Sequence, residues 1–286
     1  MTNDHAYEIQ RDIFQLEFPY TAAKALGYAL FRTYGIPSIS KLLAQTRQLS
    51  DPANAGKRSA DTGVLILEFL TSPPSSERAN AAIARMNWQH SNYQKAGKIS
   101  NDDLLYTLSL FALEPRKWIQ RYEWRSLNEM EQCAFGVFWK SIGDAMKISY
   151  DGLPSARIGW KDGIHWLHEV EVWAEAYEKI NMVPDLMNHK TANETTALFL
   201  YGLPTFMHKV GKQFVTAIMD DRLREAIMYP RSPWYSVAIV QAAFACRKLF
   251  LCYIALPRFT RLRTLSEDKD SKTGRYHMEV YNSEPW

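Results

Sequence analysis

The sequence predicts an all-α protein, a single multi-helix domain. Three observations predict it. Apolar residues recur at helical spacing along most of the chain, strand signals are scarce, and no repeat, linker or low-complexity stretch divides the 286 residues. That length supports one large core spanning 1–286. The chain is 47% hydrophobic and 23% charged, as a globular domain should be, and its 13% of aromatic residues suits cavity walls as well as cores.

The elements follow in order. Residues 20–31, rich in Ala and Leu, read as a helix closed near Gly35-Ile36-Pro37. "TGVLILEFL", 62–70, is the best short strand candidate and equally a buried helical turn. "SPPSSE", 72–77, supplies two prolines as breakers and Ser76 as an N-cap, so a helix runs from about 77 to 95 and stops at Gly97. Ser100 caps 101–115, with Asp102 and Asp103 at the positive end of the helix dipole and Pro115 ending or kinking it. "SLNE", 126–129, has capping-box spacing before a helix over 127–147, whose apolar face is Phe135, Phe138, Trp139, Ile142 and Met146. The same periodicity predicts 162–180. "NMVPDLMNHKTANE" reads as a loop, and further helices fit 194–201, 204–219 and 233–256. The polar stretch 264–286 reads as a peripheral tail.

Composition excludes several functions. The net charge is only +3 and no basic stripe exists, so nucleic acid is not an expected partner. Three cysteines without a CxxC pair point to a reducing compartment, and the mixed-charge N-terminus is not a secretory signal. Together these predict an intracellular protein, cytoplasmic or associated with the endoplasmic reticulum (ER). The apolar run 236–256 is long enough to span a membrane, but Arg247 and Lys248 sit at its middle, where a charge costs roughly 2.5–3.5 kcal/mol. It reads as a buried or interfacial helix, and with the basic "PRFTRLR" that follows it leaves room for peripheral membrane contact through 236–263. GxGxxG, GxxxxGK[ST] and GxSxG are all absent, which removes nucleotide-dependent and serine-hydrolase chemistry.

Three stretches can carry chemistry. On the helix 77–95, Ala82, Arg85, Met86, Gln89, His90 and Tyr93 lie toward one side. A guanidinium there suits an acidic cofactor group and an imidazole suits iron or a reacting oxygen; the plain alternative is a surface arginine and a half-exposed histidine. Glu68, inside "VLILEFL", is either paired with a cation, a base with a raised pKa in an apolar pocket, or an edge residue facing water. In "HWLHEVE", His165 with Glu169 and His168 with Glu171 share helix faces at metal-ligand spacing, although neither a repeated Glu-x-x-His nor His-Glu-x-x-His occurs. Solvated side chains on an amphipathic helix are the plain alternative.

"RMNWQHSNYQKAGKISNDDLLYTLSLFALEP" and "YEWRSLNEMEQCAFGVFWKSIGDAMKISYDGL", with "ALPRF" and the "GRYH…EPW" ending, resemble the MpaB-type oxygenases of mycophenolic acid biosynthesis. These form a fungal branch of the family that shares a catalytic domain with bacterial latex-clearing (rubber) oxygenases. The resemblance runs from about 60 to 286. It implies an all-helical oxidoreductase whose domain encloses an apolar cofactor or substrate pocket, holding haem b and its iron. Dioxygen and a hydrophobic terpenoid- or polyketide-derived molecule of fungal secondary metabolism would be its substrates. It further implies that the arginine helix of the family maps onto Arg85, its distal polar position onto Gln89 or His90, and its glutamate base onto Glu68. The expected catalytic set is thus Glu68, Arg85 and His90, and the expected cofactor-binding set Arg85, Gln89, His90 and Tyr93. Trp88, Tyr93, Phe111 and Trp139 would line the cavity. One departure matters. The rubber oxygenases take their axial histidine from the next helix, and "LLYTLSLF", 104–111, offers Leu108 and no histidine. The iron ligand would then be His90, with His208 and His168 as alternatives. A non-haem metal enzyme, a cofactor-free enzyme of the same fold and a non-catalytic binder of an apolar ligand stay open.

Overall fold

A computed structural model describes residues 1–46, 52–266, 268–272 and 276. The described residues form twelve α-helices and no strand, so the all-α expectation is met. The chain opens with α1 (Asn3–Asp12), a π-helical turn at Ile13–Glu17, α2 (Pro19–Thr33) and α3 (Pro37–Thr46). Then come the hairpin of α4 (Pro52–Thr71) and α5 (Glu77–Lys95), the long α6 (Asn101–Tyr122), α7 (Glu129–Ala145) and α8 (Gly163–Asn181). The series ends with α9 (Leu186–Leu200), a 3-10 turn at Thr205–Met207, α10 (His208–Ala217), α11 (Asp221–Ala226) and α12 (Trp234–Tyr253).

Side-chain caps explain most of the helix starts. Ser76 accepts the Ala79 N–H at 3.2 Å, and Ser100 and Asp103 form a reciprocal capping box. The second box is two residues later than expected: Asn128, not Ser126, is the cap, with Glu131 as its partner. Pro37 occupies the first turn of α3, where its missing N–H costs nothing, so the signal read as a stop is also a start. "TGVLILEFL" is the second half of α4, not a strand. Pro115 lies inside α6 and does not end it, because buried residues on both sides, from Leu113 to Tyr122, offset the roughly 3 kcal/mol of an interior proline. Residues 186–194, expected as loop, begin α9. Their polarity is internal: Asn188 donates to the carbonyls of Gly35, Val183 and Ala226 at 3.0, 3.0 and 3.2 Å.

α6 is the axis of the core, packed along α2, α7 and α8; α1 lies on α7, and α3 on α9. The α7–α8 contact depends on two glycines. A methyl group at Gly136 would run into the Gly163 carbonyl, and one at Gly163 into the Cys133 carbonyl. Backbone cannot step aside as a side chain can, so Gly136→Ala should destabilise the protein by about 1–3 kcal/mol or more, read as a lowered urea midpoint.

A buried ionic cluster joins α2, α6, α8 and α11. Arg32 holds Glu178 bidentately at 2.7 and 2.8 Å, Tyr106 donates to Glu178 at 2.8 Å, and Arg222 reaches it at 3.2 Å. Glu114, buried beside this cluster at 4.0 Å from Arg32, has its carboxyl pKa raised by burial, an effect that the Arg32 charge only partly opposes. A raised folded-state pKa means the native state holds the proton longer than the unfolded chain, so this group lowers stability as pH rises above its unfolded value near 4.5. Glu114→Gln should therefore raise the melting temperature at pH 7–8, with the gain vanishing near pH 4; thermal melts across that range check it.

The segment after α12 is not a loose tail throughout. Leu262 N–H donates to the Gln15 carbonyl at 2.6 Å, Leu265 is buried, and Ser266 O accepts from Arg78 at 2.9 Å. Most of 273–286 lies outside the described residues.

Candidate functional site

α2, α3, α4, α5, α6, α7 and α9 enclose a cavity of about 250 Å³. Each helix contributes one stripe. α4 supplies Arg58, Thr62, Leu65, Ile66 and Phe69, an i, i+4, i+7, i+8, i+11 series. α5 adds Met86, Gln89 and His90; α6 adds Leu104, Thr107, Leu108 and Phe111; α7 adds Trp139, Ile142 and Met146. Phe111 and Trp139 stack at 5.5 Å between ring centroids and 9° between planes, a flat aromatic wall. Thr195 and Leu198 close the space from α9.

The lining is mostly apolar, and four of its polar groups set its chemistry. His90 Nδ1 is buried and has no hydrogen-bond partner. Burial, with help from the nearby Arg58 charge, holds the His90 pKa below its ordinary value, so the ring is neutral with a nitrogen able to act as a ligand. Arg58 donates to Thr62 Oγ1 at 2.8 Å and has no carboxylate partner among the described residues. An unneutralised guanidinium on a mostly apolar wall favours an anionic group. Lys98 adds a second, exposed cation at the rim. Asp103 is already committed, accepting from Ser38 and Tyr177 at 2.7 and 2.8 Å while capping α6.

The structure therefore divides the expected residues. His90 and Gln89 line the cavity together with Phe111 and Trp139, and Leu108 faces the same space. Arg85 does not: it is exposed and its guanidinium lies 4.6 Å from the centroid of exposed Trp88. It sits about 100° around α5 from Met86, at the edge of the inner stripe, where a long cationic side chain turns to water. Tyr93, a turn beyond Gln89 and His90, is not part of the lining either. Glu68 points away from the cavity stripe of α4 and forms an ion pair with Arg78 across the hairpin, the paired reading of its burial. His208 bonds the Leu203 carbonyl at 2.9 Å near the surface, and His168 is exposed on α8. In the "HWLHEVE" stretch, Glu169 accepts from Ser155 and Trp160 at 2.6 and 2.8 Å, and Glu171 pairs with Arg116 and Lys117. No group of three His, Cys, Asp or Glu side chains is placed to hold a metal ion among the described residues.

Arg58 and Thr62 are the site residues that sequence reading missed. Pro52 and Gly56 disguise the first turns of α4, and reading 62–70 as a possible strand stops short of Arg58. The signal was present: extending the apolar series of Leu65, Ile66 and Phe69 upstream at helical spacing reaches Thr62 and then Arg58.

Comparison with known proteins gives the family. No family model matches the chain. The chain is 46% identical to the ER-bound oxygenase mpaB' of Penicillium brevicompactum, over 100% of its own length and 68% of that protein. It is 52% identical to the ER-bound oxygenase mpaB of Penicillium roqueforti, over 80% of its length and 77% of that protein. It is 41% identical to the ER-bound oxygenase mpaB of Penicillium brevicompactum, over 100% of its length and 67% of that protein. An all-α chain, an apolar cavity with a neutral histidine in its wall, and this extent of identity agree: the chain belongs to the MpaB-type oxygenases and is an oxidoreductase.

Proposed function

We propose that the chain is a haem-dependent oxygenase of fungal secondary metabolism. It would bind haem b in the α4–α5–α6 cavity and oxidise a hydrophobic terpenoid- or polyketide-derived molecule with dioxygen. The kinship with bacterial latex-clearing oxygenases belongs to the same proposal, as does an ER-associated location with membrane contact through 236–263.

The observation that carries the haem reading is the buried, unpartnered Nδ1 of His90 in an apolar wall. A buried polar nitrogen without a partner costs about 1–3 kcal/mol, a cost that coordination to iron would remove. Arg58 and Lys98 supply the cations a haem needs for its propionates, and Phe111 and Trp139 supply a flat face. Bound haem would supply the activation of dioxygen. The chain's own residues do the rest. His90 would hold the iron from α5, the Leu, Ile and Met walls would exclude water and seat an apolar substrate, and Gln89 and Thr107 would offer hydrogen bonds for orienting it. Glu68 has no part in this scheme, because Arg78 keeps it outside the cavity. The purified chain titrated with haem should show a Soret band and a one-to-one end point. The absence of a band after reconstitution would overturn the haem reading and favour a cofactor-free enzyme of the same fold.

A further inference from the structure

α12 is an amphipathic helix turned inside out. Its only two charges, Arg247 and Lys248, are half-buried on the side facing the protein. Arg247 donates to Glu123 at 2.8 Å and to the Tyr122 carbonyl at 3.2 Å. The outward side carries Trp234, Ile239, Leu249, Phe250 and Tyr253, all exposed, and no charge. A surface helix in water has the opposite arrangement. Trp234 and Tyr253 are each 82% exposed, and with Ile239, Leu249 and Phe250 they make the outward side one apolar face, the kind of patch that marks an interaction surface.

We infer that this face is a monotopic membrane-binding surface whose partner is a lipid bilayer. The argument deepens the ER location proposed above and rests on it for the identity of the membrane. Three observations choose a bilayer over a protein. From Ala226 to Ser266 the chain has six Lys and Arg residues and no Asp or Glu, a charge balance that suits anionic headgroups. Trp and Tyr stand at both ends of the helix, as aromatic residues do at a membrane interface. The relatives named above are called ER-bound.

The same contacts say how the helix meets the bilayer. It is pinned at its N-terminal end and its middle: Ser232 and Ser236 donate to Gln213 of α10 at 2.9 and 3.2 Å, while Phe244 stacks on Tyr122 of α6 at 4.0 Å between centroids. A spanning helix would have to break these contacts and bury Arg247. A helix lying flat keeps them and sinks only its outward face. α10 in turn packs on α9, which closes the cavity through Leu198 and exposes the neighbouring Phe199. The bound surface and the cavity are therefore linked through α10 and α9, which suits a substrate that partitions into lipid.

The chain supplies its own probes. Cys246 and Cys252 are exposed on α12, and Cys133, half-buried on α7, serves as an internal reference. The purified chain is mixed with phosphatidylcholine vesicles, with or without phosphatidylserine, floated on a gradient and labelled with a water-soluble maleimide. It should float, more completely with phosphatidylserine, and the labelling of Cys246 and Cys252 should be lost while that of Cys133 is unchanged. The double substitution Leu249→Glu with Phe250→Glu should abolish flotation and leave the circular dichroism intact. Wild-type chain that stays at the bottom of the gradient overturns the inference. So do cysteines already protected without vesicles in a particle of twice the mass, which would assign the face to a second copy. A double variant that no longer floats yet still fractionates with the ER in cells would assign ER binding to another segment, while the vesicle result for α12 stands.

Discussion

His90→Ala should abolish the Soret band of the haem-reconstituted protein and leave its far-ultraviolet circular dichroism unchanged. The expectation has two parts. Among the described residues the imidazole is the only histidine ring in the lining, it is neutral, and its Nδ1 has no other bond to lose. Removing even an outer-shell partner of a metal ligand costs about 10–100-fold in affinity, so loss of the ligand itself costs no less. The fold should not notice, because His90 donates to and accepts from nothing that holds α5 in place. His208→Ala and His168→Ala are the controls. The first ring is occupied by the Leu203 carbonyl and the second faces solvent, so both variants should keep the band. A His90→Ala protein with the wild-type spectrum would remove this ligand. Arg58→Ala should give a weaker effect, a band that forms with lower haem affinity, since the cation would contact the periphery of the haem and not its iron.

Glu178→Leu should be among the most destabilising single changes in the protein. It removes two hydrogen bonds from Arg32, one from Tyr106 and one from Arg222, and leaves the Arg32 side chain, 11% exposed, without its bidentate partner. Breaking a buried pair from one side costs about 3–5 kcal/mol, because the remaining charge has been stripped of water and of its counter-charge. A guanidinium chloride titration reads the loss directly. The double variant Glu178→Leu with Arg32→Met should recover part of it, since Arg32 no longer stays behind as a buried cation, and the more exposed Asp220 that loses its partner can turn to water. If the double variant is no better than the single, Asp220 is carrying Arg32 on its own.

How much of this was legible beforehand differs by element. α5 was readable almost to the residue, because Ser76 and Gly97 punctuate it and its inner stripe repeats at helical spacing. The inner positions of α7 were readable for the same reason, and Phe138, Trp139 and Ile142 are all buried or nearly so. α9 was not, because four of its buried side chains are Asn188, Thr191, Thr195 and Thr196, and Asn188 satisfies carbonyls from three separate segments that no local pattern can announce. α4 was half readable: its apolar end stood out, and its Gly- and Pro-containing start hid Arg58.

By itself the sequence determined the helical class, most helix starts, the placement of His90 on the inner side of α5, and the family. Each follows from local rules: period, caps, and a run of shared residues. Only the tertiary structure decided which cation faces the cavity, Arg58 and not Arg85, and that Glu68 is spent on Arg78. Only it could show that Arg247 turns inward onto Glu123 and leaves the outer side of α12 bare of charge. Periodicity orders the faces of one helix but not the partner that each face meets. A residue about 100° from the inner stripe can turn either way, and the choice is made by a counter-charge or an aromatic ring on another turn or another helix.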